Sequence, residues 1–469
     1  MSTPRLVVVG AGPAGMGAAI EAARAGLHVS VLDENARPGG QIYRQFDPRF
    51  RVTAPRVLGR DFRRGQALLA EFTALGSSVE YLPESLVWGL FPEREVAFVQ
   101  HGESRTIAYD RLLIALGAYD RPVPFPGWTL PGVLTAGGAQ RLVKTQRVLP
   151  GDRIVLVGTG PLQLALAHQI LAAGGQVAAV VEAGGFGAWC RLAHGAFGHW
   201  PLMADACRYL ANLVRARVPV FRRHVIVEAH GKGKVEAVGI ARVDEEWRPI
   251  PGATRSIPAD AVCVGYGFIP SVELTRLAGC EHRYEPELGG WVPARADTME
   301  TSAEGVYAAG DCAGIGGSLV AVEEGRIAAL AAAQALGCLF ASDAERRMQP
   351  ARERLRRLQR LRVGLGAIWR PRAGLHDLVK DDTVVCRCEE ITFGEIRVVL
   401  AEGNTDMNAL KRMTRTGMGN CQGRYCGPAL QEFIAHHRQV SPATLVPLNP
   451  RPPIRPVPIS VLAGSGKLE

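Results

Sequence analysis

Four cysteines near the C-terminal end of the sequence have the spacing of a metal or cluster site. Cys386 and Cys388 are separated by one residue, and Cys421 and Cys426 follow after a gap of 32 residues. Four thiolates at such spacing hold zinc or a [2Fe-2S] cluster, and spacing constrains the ligands better than the metal. The four cysteines are therefore predicted ligands, with iron–sulfur, zinc and an empty site as the alternatives.

The elements around these cysteines are predicted to be short helices. Thr392 and Glu395 form a capping-box pattern, Gly403 ends that helix, and Asp406 begins another that ends at Gly417. Both cysteine pairs then lie in loops at helix ends. In such loops, backbone N–H groups can donate hydrogen bonds to thiolate or sulfide.

The opening of the chain, residues 5–33, predicts a strand, a glycine turn, a helix and a second strand. In the turn, Gly10 permits the bend, Gly12 lets the backbone approach a pyrophosphate, and Gly15 lets the helix pack on the sheet. Asp33 stands at the end of the second strand, where a carboxylate can accept hydrogen bonds from an adenosine ribose. This full context favours a dinucleotide site over a chance glycine turn.

The loop after Asp33 continues the predicted ligand path. Gly39 and Gly40 give a bare backbone where a long ligand passes, and Gln41, Tyr43 and Arg44 supply polar and stacking groups. Ordinary loop chemistry is the alternative for Tyr43 and Arg44.

The segment Asp33-Glu-Asn-Ala-Arg-Pro-Gly-Gly-Gln-Ile-Tyr-Arg44 resembles that of flavoproteins with two dinucleotide-binding domains. It is most similar to the FAD/NAD-binding A (alpha) subunits of bacterial multi-subunit opine oxidases, hydrogen cyanide synthase and hydroxyproline or proline dehydrogenases. The resemblance covers nearly the whole chain and implies FAD. The expected cofactor-binding residues are Gly10, Gly12, Pro13, Ala14, Gly15, Asp33, Glu34, Gly40, Gln41, Arg44, Gly117, Gly310 and Asp311.

Two of these positions depend on later segments. Gly117 ends a segment that closes the FAD domain in the family, although Leu116 stands where threonine is usual. At the end of a strand, Asp311 follows Gly310, and the resemblance implies that it hydrogen-bonds the ribityl chain. A simple helix cap is the alternative for Asp311.

A second copy of the opening pattern lies at Arg153–Glu182, with its turn at Gly158-Thr-Gly160-Pro-Leu-Gln163. Gln163 occupies the third glycine position, where a side chain should hinder close helix packing or approach of a ligand. NAD(H) binding and a retained scaffold are both open for this unit.

The cysteine module, with Gly427-Pro after its last cysteine, resembles the bacterioferritin-associated-ferredoxin-like [2Fe-2S] domain. That domain commonly ends in a shorter CxxC spacing, and the A subunits named above carry the longer form seen here. The resemblance thus favours iron–sulfur over zinc.

Composition narrows the class of protein. The net charge is +9, but ten arginines lie within residues 346–372 and no nucleic-acid-binding motif accompanies them, so nucleic acid is not an expected partner. Glycines and polar residues interrupt the uncharged stretch Ile154–Val181, which argues against a membrane span. Four of the ten cysteines crowd into the last fifth of the chain, which suggests a metal or cluster site in a reducing compartment, and no secretory signal is convincing. A cytoplasmic protein is therefore predicted, with contact at the inner face of the membrane open through its complex.

The predicted fold class is α/β: two Rossmann-like domains, the second inserted in the first, plus a small helical [2Fe-2S] domain. The expected segments are residues 1–120 with 266–345 for the FAD-binding domain, 121–265 for the second Rossmann-like domain, 346–378 for an arginine-rich helical linker, 379–440 for the cluster domain and 441–469 for a proline-rich tail.

The resemblance implies the A subunit of a heteromeric flavin-dependent amine or imino-acid oxidoreductase. Its implied partners are a catalytic FAD-containing amine oxidase-like B (beta) subunit together with a small ferredoxin-like subunit. FMN at a subunit interface, and NAD or ATP in a nucleotide site, also follow from the family. The alternatives are a stand-alone NAD(P)H-dependent ferredoxin-type reductase and a structural subunit whose nucleotide only stabilises the fold.

Overall fold

The computed structural model describes residues 3–51 and 59–463. Its strands are β1 Arg5–Val9, β2 His28–Leu32, β3 Val79–Leu82, β4 Leu86–Phe91, β5 Glu95–Gln100, β6 Glu103–Ala108, β7 Arg111–Ile114, β8 Ala118–Asp120, β9 Val133–Thr135, β10 Arg153–Gly158, β11 Gln176–Glu182, β12 Val220–Arg222, β13 His224–His230, β14 Ala237–Val243, β15 Pro249–Pro258, β16 Ala261–Gly265, β17 Phe268–Pro270, β18 His282–Glu285, β19 Gly290–Pro293, β20 Val306–Ala308, β21 Val384–Cys386 and β22 Ile391–Thr392.

The α-helices are α1 Pro13–Arg24, α2 Gly59–Thr73, α3 Ala136–Arg141, α4 Pro161–Ala172, α5 Phe186–Gly195, α6 Trp200–Arg215, α7 Glu273–Leu277, α8 Ser318–Ala335, α9 Ala341–Trp369, α10 Phe393–Ala401, α11 Met407–Thr414, α12 Cys426–His437 and α13 Ile459–Leu462. Short 3-10 turns lie at Gly76–Ser78, Pro286–Leu288, Asp311–Ala313, Ala373–Leu378 and Pro442–Thr444, and a π-helical turn at Leu142–Gln146. Within the described ranges, no helix is long and apolar enough to cross a membrane.

Contacts divide the chain into two compact units. Unit 1 comprises residues 1–119, 270–359 and 450–469, and unit 2 comprises residues 120–269 and 360–449. Two of the division points, 119/120 and 269/270, fall close to the ends of the predicted inserted domain. The third falls inside α9, a single helix with Pro350 in its interior, where the arginine-rich linker was expected.

Unit 1 is built on a five-stranded parallel sheet in the order β20-β7-β1-β2-β3. Most residues of its inner strands are apolar and buried, as expected for a parallel sheet that is covered on both faces. Helices α1 and α8 pack on one another through glycine: a Cβ on Gly325 would lie 2.0 Å from the Ala14 carbonyl oxygen, and one on Gly17 would lie 2.8 Å from that of Val322. This contact fixes both helix N-termini beside the sheet edge.

Unit 2 repeats the plan with the parallel sheet β12-β11-β10-β16-β9 and adds the antiparallel sheet β13-β14-β15. A separate apolar cluster that includes Ile396, Leu410 and Leu430 forms the core of the cysteine-bearing helices. The predicted capping box at Thr392 and Glu395 is confirmed, and Asp406 caps α11 through the Ala409 N–H.

Candidate nucleotide cradle and four-cysteine centre

The predicted nucleotide residues of unit 1 gather at one edge of its parallel sheet. Gly10 follows β1, Asp33 follows β2, Gly117 lies just past β7, and Gly310 lies just past β20. All four strands run parallel, so their carboxyl ends meet at the same edge. In open α/β sheets, ligands bind at this edge.

The glycine turn between β1 and α1 forms a cradle of bare backbone. A Cβ on Gly15 would lie 1.8 Å from the Gly10 carbonyl oxygen, and one on Gly10 would lie 2.5 Å from that of Ala115, so both positions need glycine. Gly12 is different, because its Cβ would meet only the Gly40 Cα, at 3.9 Å. The opening at Gly12 therefore leaves room for a ligand.

Helix α1 begins at Pro13, within the predicted glycine turn, with Gly12 as its N-cap. Proline suits the first helical position, where an N–H has no intrahelical acceptor. Among the described residues, no side chain caps this terminus. Ala14 and Gly15 thus begin a helix whose N–H groups and positive dipole end can bind a phosphate, as the fit of a dinucleotide requires.

The Asp33 carboxylate holds the glycine turn to the end of β2. It accepts the Ala11 N–H at 2.6 Å, and from Asn35 both the backbone N–H and the side-chain amide at 2.8 Å. Burial raises the pKa of Asp33, against the lowering effect of these hydrogen bonds. A ribose hydroxyl would share the same two oxygen atoms.

The loop residues predicted beside Asp33 also have partners within unit 1. Glu34 pairs with Arg455 of the proline-rich tail at 3.1 Å. The Arg44 guanidinium donates to the Asn35 side chain at 2.9 Å and to the Gln41 side chain at 3.2 Å. Gln41 and Arg44 therefore support each other in the loop that leads away from Gly40.

Asp311 is held close to the start of α8. Its Oδ1 accepts the N–H groups of Gly316 and Gly317, each at 2.9 Å. The helix itself has Gly317 as its N-cap and no side-chain cap, so these contacts hold the turn before α8 and do not make Asp311 the helix cap that the sequence left open. Contact with the ribityl chain of a flavin stays a prediction.

Sequence reasoning missed a buried ion pair beneath Gly310. Glu324 accepts the Gly310 N–H at 2.8 Å and pairs with Arg295 at 2.7 Å. The Glu324 side chain is 2% exposed, so the pair holds the turn rigidly in the interior. One feature of the sequence indicates such a pair. Glu323 and Glu324 are charged residues in an alanine-rich helix whose apolar composition predicts that the helix is buried.

In unit 2 the structure brings the four predicted cysteine ligands together. Cys426 hydrogen-bonds with both Cys386 and Cys421, and Cys421 also contacts Cys388. Backbone N–H groups surround the sulfur atoms. Cys386 has hydrogen bonds from the backbone at 388, 389 and 417, and Cys421 has them from the backbone at 423 and 425.

These contacts separate the acidities of the four thiols. The Cys426 thiol is the largest influence on both partners: it lowers the pKa of Cys386 to about 6 and that of Cys421 to about 5. The same hydrogen bonds raise the pKa of Cys426, and burial raises the pKa of Cys388. Thiolates are the form that binds iron, and the backbone N–H groups around Cys386 and Cys421 also favour that form.

The thiols contact one another as a chain, 388–421–426–386. Across residues 3–51 and 59–463, no three His, Cys, Asp or Glu side chains are grouped to hold a single metal ion. A [2Fe-2S] cluster takes two thiolates on each of two irons, so it does not need three ligands around one point. Four thiols that contact one another in sequence can supply two ligands to each iron of such a cluster.

Comparison with known families agrees with both sites. Residues 4–337 match the model of the pyridine nucleotide-disulphide oxidoreductases. Residues 384–436 match the BFD-like [2Fe-2S] binding domain. All ten cysteines are free thiols in the structure, and the four proposed cluster ligands lie within the second match.

Relatives align with the whole chain. It is 38% identical to the A subunit of opine oxidase from Rhizobium meliloti over 98% of this chain and 87% of that one. It is 36% identical to hydrogen cyanide synthase subunit HcnB of Pseudomonas aeruginosa over 98% of this chain and 99% of that one. The expected family resemblance is therefore confirmed.

Among solved structures, L-proline dehydrogenase from P. horikoshii superposes with a TM-score of 0.70 at 19% identity, covering 98% of this chain and 80% of that one. At that identity the likeness establishes the fold. The predicted α/β fold class with two Rossmann-like domains and a [2Fe-2S] module is thus confirmed. This chain belongs to the pyridine nucleotide-disulphide oxidoreductase family, together with HcnB and the A subunit of opine oxidase, and is a flavin-dependent oxidoreductase subunit that binds FAD and a [2Fe-2S] cluster.

Proposed function

We propose that this chain is the A subunit of a heteromeric amine or imino-acid oxidoreductase of the opine oxidase or hydroxyproline/proline dehydrogenase type. The observation that carries the proposal is a nucleotide cradle and a four-thiol loop in one chain whose relatives are themselves named as subunits. When bound, a flavin exchanges two electrons with an organic substrate and one with an iron–sulfur cluster.

The residues of the cradle bind the nucleotide. Gly12 and the start of α1 receive the pyrophosphate, Asp33 lies at the ribose end, and Gly310 with Asp311 lies at the start of α8. Cys386, Cys388, Cys421 and Cys426 hold the cluster, with backbone N–H groups that stabilise negative charge on sulfur.

A catalytic, FAD-containing amine oxidase-like B subunit is the proposed source of electrons, because the relatives of this chain are named as subunits of larger enzymes. An FMN at the subunit interface and a small ferredoxin-like subunit belong to the same proposal. The substrate is an N-substituted or cyclic amino acid, such as an opine, hydroxyproline or proline.

The test is anaerobic reduction of the purified complex followed by visible spectroscopy. The amine should bleach the flavin of this chain only when the partner subunit is present. Bleaching by NADH in the isolated chain would instead establish a stand-alone reductase and contradict the proposal.

Two cysteine-to-serine variants, one inside and one outside the cluster module, test the role of the cluster. Cys421→Ser should remove most of the iron and abolish electron transfer to an external acceptor while FAD remains bound. Cys207→Ser changes an exposed thiol outside the module and should leave iron content and turnover unchanged. Full turnover in Cys421→Ser would show that the cluster is not on the electron path.

A further inference from the structure

The second glycine turn, Gly158–Gln163, is filled by protein atoms where the first turn is open. The Gln163 side chain is 1% exposed. Its Nε2 donates to the Val157 carbonyl oxygen at 2.9 Å and to that of Gly265 at 3.2 Å. The amide thus occupies the notch between the end of β10 and the start of α4.

One N–H group of the second turn already has a protein acceptor, because the Gly160 N–H donates to the Glu182 carboxylate at 3.3 Å. Pro161, like Pro13 at the first turn, has no N–H, so this position is the same in the two turns. Glu182 also accepts the Gly184 N–H at 2.8 Å. Asp33 makes a comparable contact at the first turn, so the acid alone does not distinguish the two turns.

The C-terminal end of α9 lies against the second turn and does distinguish them. The Thr159 hydroxyl, 1% exposed, donates to the Ile368 carbonyl oxygen at 3.4 Å. Carbonyl groups at a helix C-terminus carry partial negative charge, and the N-terminus of α4 carries partial positive charge. The partly negative C-terminal end of α9 therefore lies at the turn where the negatively charged pyrophosphate of a nucleotide would bind.

Two glycines allow residues 360–369, the segment that covers the second turn, to pack closely on α5. A Cβ on Gly195 would lie 2.6 Å from the Arg360 carbonyl oxygen, and one on Gly364 would lie 3.3 Å from the Leu192 Cα. Residues 360–369 thus pack on α5 at backbone contact distance. Gly158, Thr159 and Gly160 are all buried, whereas Gly12 and Pro13 at the first turn are partly exposed.

We propose that Gln163, Thr159 and residues 360–369 set the electron-donor specificity of this flavoprotein by filling the pyrophosphate place of its second Rossmann-like domain. The pyridine nucleotide of the family does not fit this chain, so NAD(P)H does not deliver hydride to its flavin. Electrons enter from another protein. The inference does not depend on which amine that protein oxidises.

Hydrogen exchange of the full chain, loaded with FAD and cluster, tests whether the turn is covered. A peptide spanning residues 156–166 should be protected without any nucleotide and unchanged by about 1 mM NADH. The first turn is the internal control, because a peptide spanning residues 8–18 should gain protection when FAD is added to FAD-free protein. Slow exchange at 156–166 that appears only with NADH would overturn the proposal.

Anaerobic titration of the same protein with NADH and NADPH gives a second readout. No saturable change in nicotinamide fluorescence and no bleaching of the flavin are expected up to about 1 mM, although dithionite bleaches it. Saturable binding with FAD in place would overturn the proposal. Failure of the amine to reduce the complex would contradict only the proposed function.

A variant tests whether residues 360–369 are the cover. Gly195→Val should displace the segment and speed exchange at residues 156–166 about tenfold, with the 8–18 peptide unchanged. Gly187→Ala in the same helix, where a Cβ meets nothing within 4 Å, is the matched control and should exchange like the wild type. Equal exchange at 156–166 in Gly195→Val and wild type would show that the segment does not cover the turn.

Discussion

The glycine turns at Gly10–Gly15 and Gly158–Gln163 share a framework and differ in what lies above them. Each follows the central strand of a five-stranded parallel sheet and opens a helix of 12 residues with proline at its start. The first turn presents bare backbone at Gly12. The second is sealed by Gln163, Thr159 and Ile368 of its own unit.

The difference shows that the local fold does not decide whether a nucleotide binds. Spacing between strand and helix is set by one residue in each turn. Gly15 lets α1 approach the Gly10 carbonyl oxygen so closely that a Cβ has no room, whereas the same position in α4 carries a whole glutamine side chain. The second helix thus leaves space for a side chain between itself and its strand, whereas the first helix packs directly against its turn and leaves the backbone open only at Gly12.

The largest effect is expected from placing a methyl group in the first turn. Gly15→Ala puts its Cβ 1.8 Å from a backbone oxygen and should destabilise unit 1 by more than about 3 kcal/mol, with loss of bound FAD. Thermal unfolding and the flavin-to-protein ratio measure it. Gln163→Ala, alanine at the matching position of the second turn, should keep FAD; equal flavin loss in the two variants would remove the distinction between the turns.

The buried acid of the second turn should produce a pH-dependent effect of intermediate size. Burial raises the pKa of Glu182 to about 7 from 4.5, so the folded state binds the proton more tightly than the unfolded state. The stability that this provides is complete below about pH 4.5 and is lost as the pH rises through about 7. Relative to Glu182→Gln, the wild type should therefore lose up to about 3 kcal/mol across this window.

Unfolding curves of both proteins from pH 4.5 to pH 8 measure this difference. The comparison of slopes matters more than the absolute stability, because glutamine also changes the hydrogen bonds to Gly160 and Gly184. A constant difference between the two proteins would mean that the carboxyl group is not shielded from solvent, and that the second turn is more open than its contacts indicate.

The smallest effect is expected at Gly12, where a methyl group meets no protein atom closer than 3.9 Å. Gly12→Ala should fold normally and bind FAD about tenfold more weakly, or about 1.4 kcal/mol, because the methyl group enters the space of the pyrophosphate. Equilibrium dialysis of FAD with circular dichroism measures both properties. Unchanged FAD affinity would mean that the ligand does not approach this backbone.

Local signals in the sequence predicted the local parts of the structure. Two examples are the strand, turn and helix around Gly10–Gly15 and the capping box at Thr392. Each depends on residues within one or two helical turns, so a short stretch of sequence is enough to predict it. The cysteine loop was predictable for the same reason, because the ligand spacing is itself the signal.

Contacts between distant segments were not predictable. Thr159 meets Ile368 across 209 residues, and Arg455 meets Glu34 across 421. Neither pair belongs to a motif, and a hydroxyl or a guanidinium has many equally good partners elsewhere. The sequence predicts that the Gln163 side chain hinders a ligand. No pattern in the sequence indicates that the C-terminal end of α9 lies against the same turn.

The return of the tail to the first domain bears on when the flavin can be loaded. Ile454 donates its N–H to the Trp88 carbonyl oxygen at 2.9 Å and buries its side chain in the apolar cluster of unit 1 that contains β1 residues. The core of unit 1 is therefore complete only after the segment around Ile454 has been made and has packed against it. We expect stable FAD binding only after this segment has packed, so a chain cut short before Pro450 would contain the whole first glycine turn and still lack part of the domain that supports it.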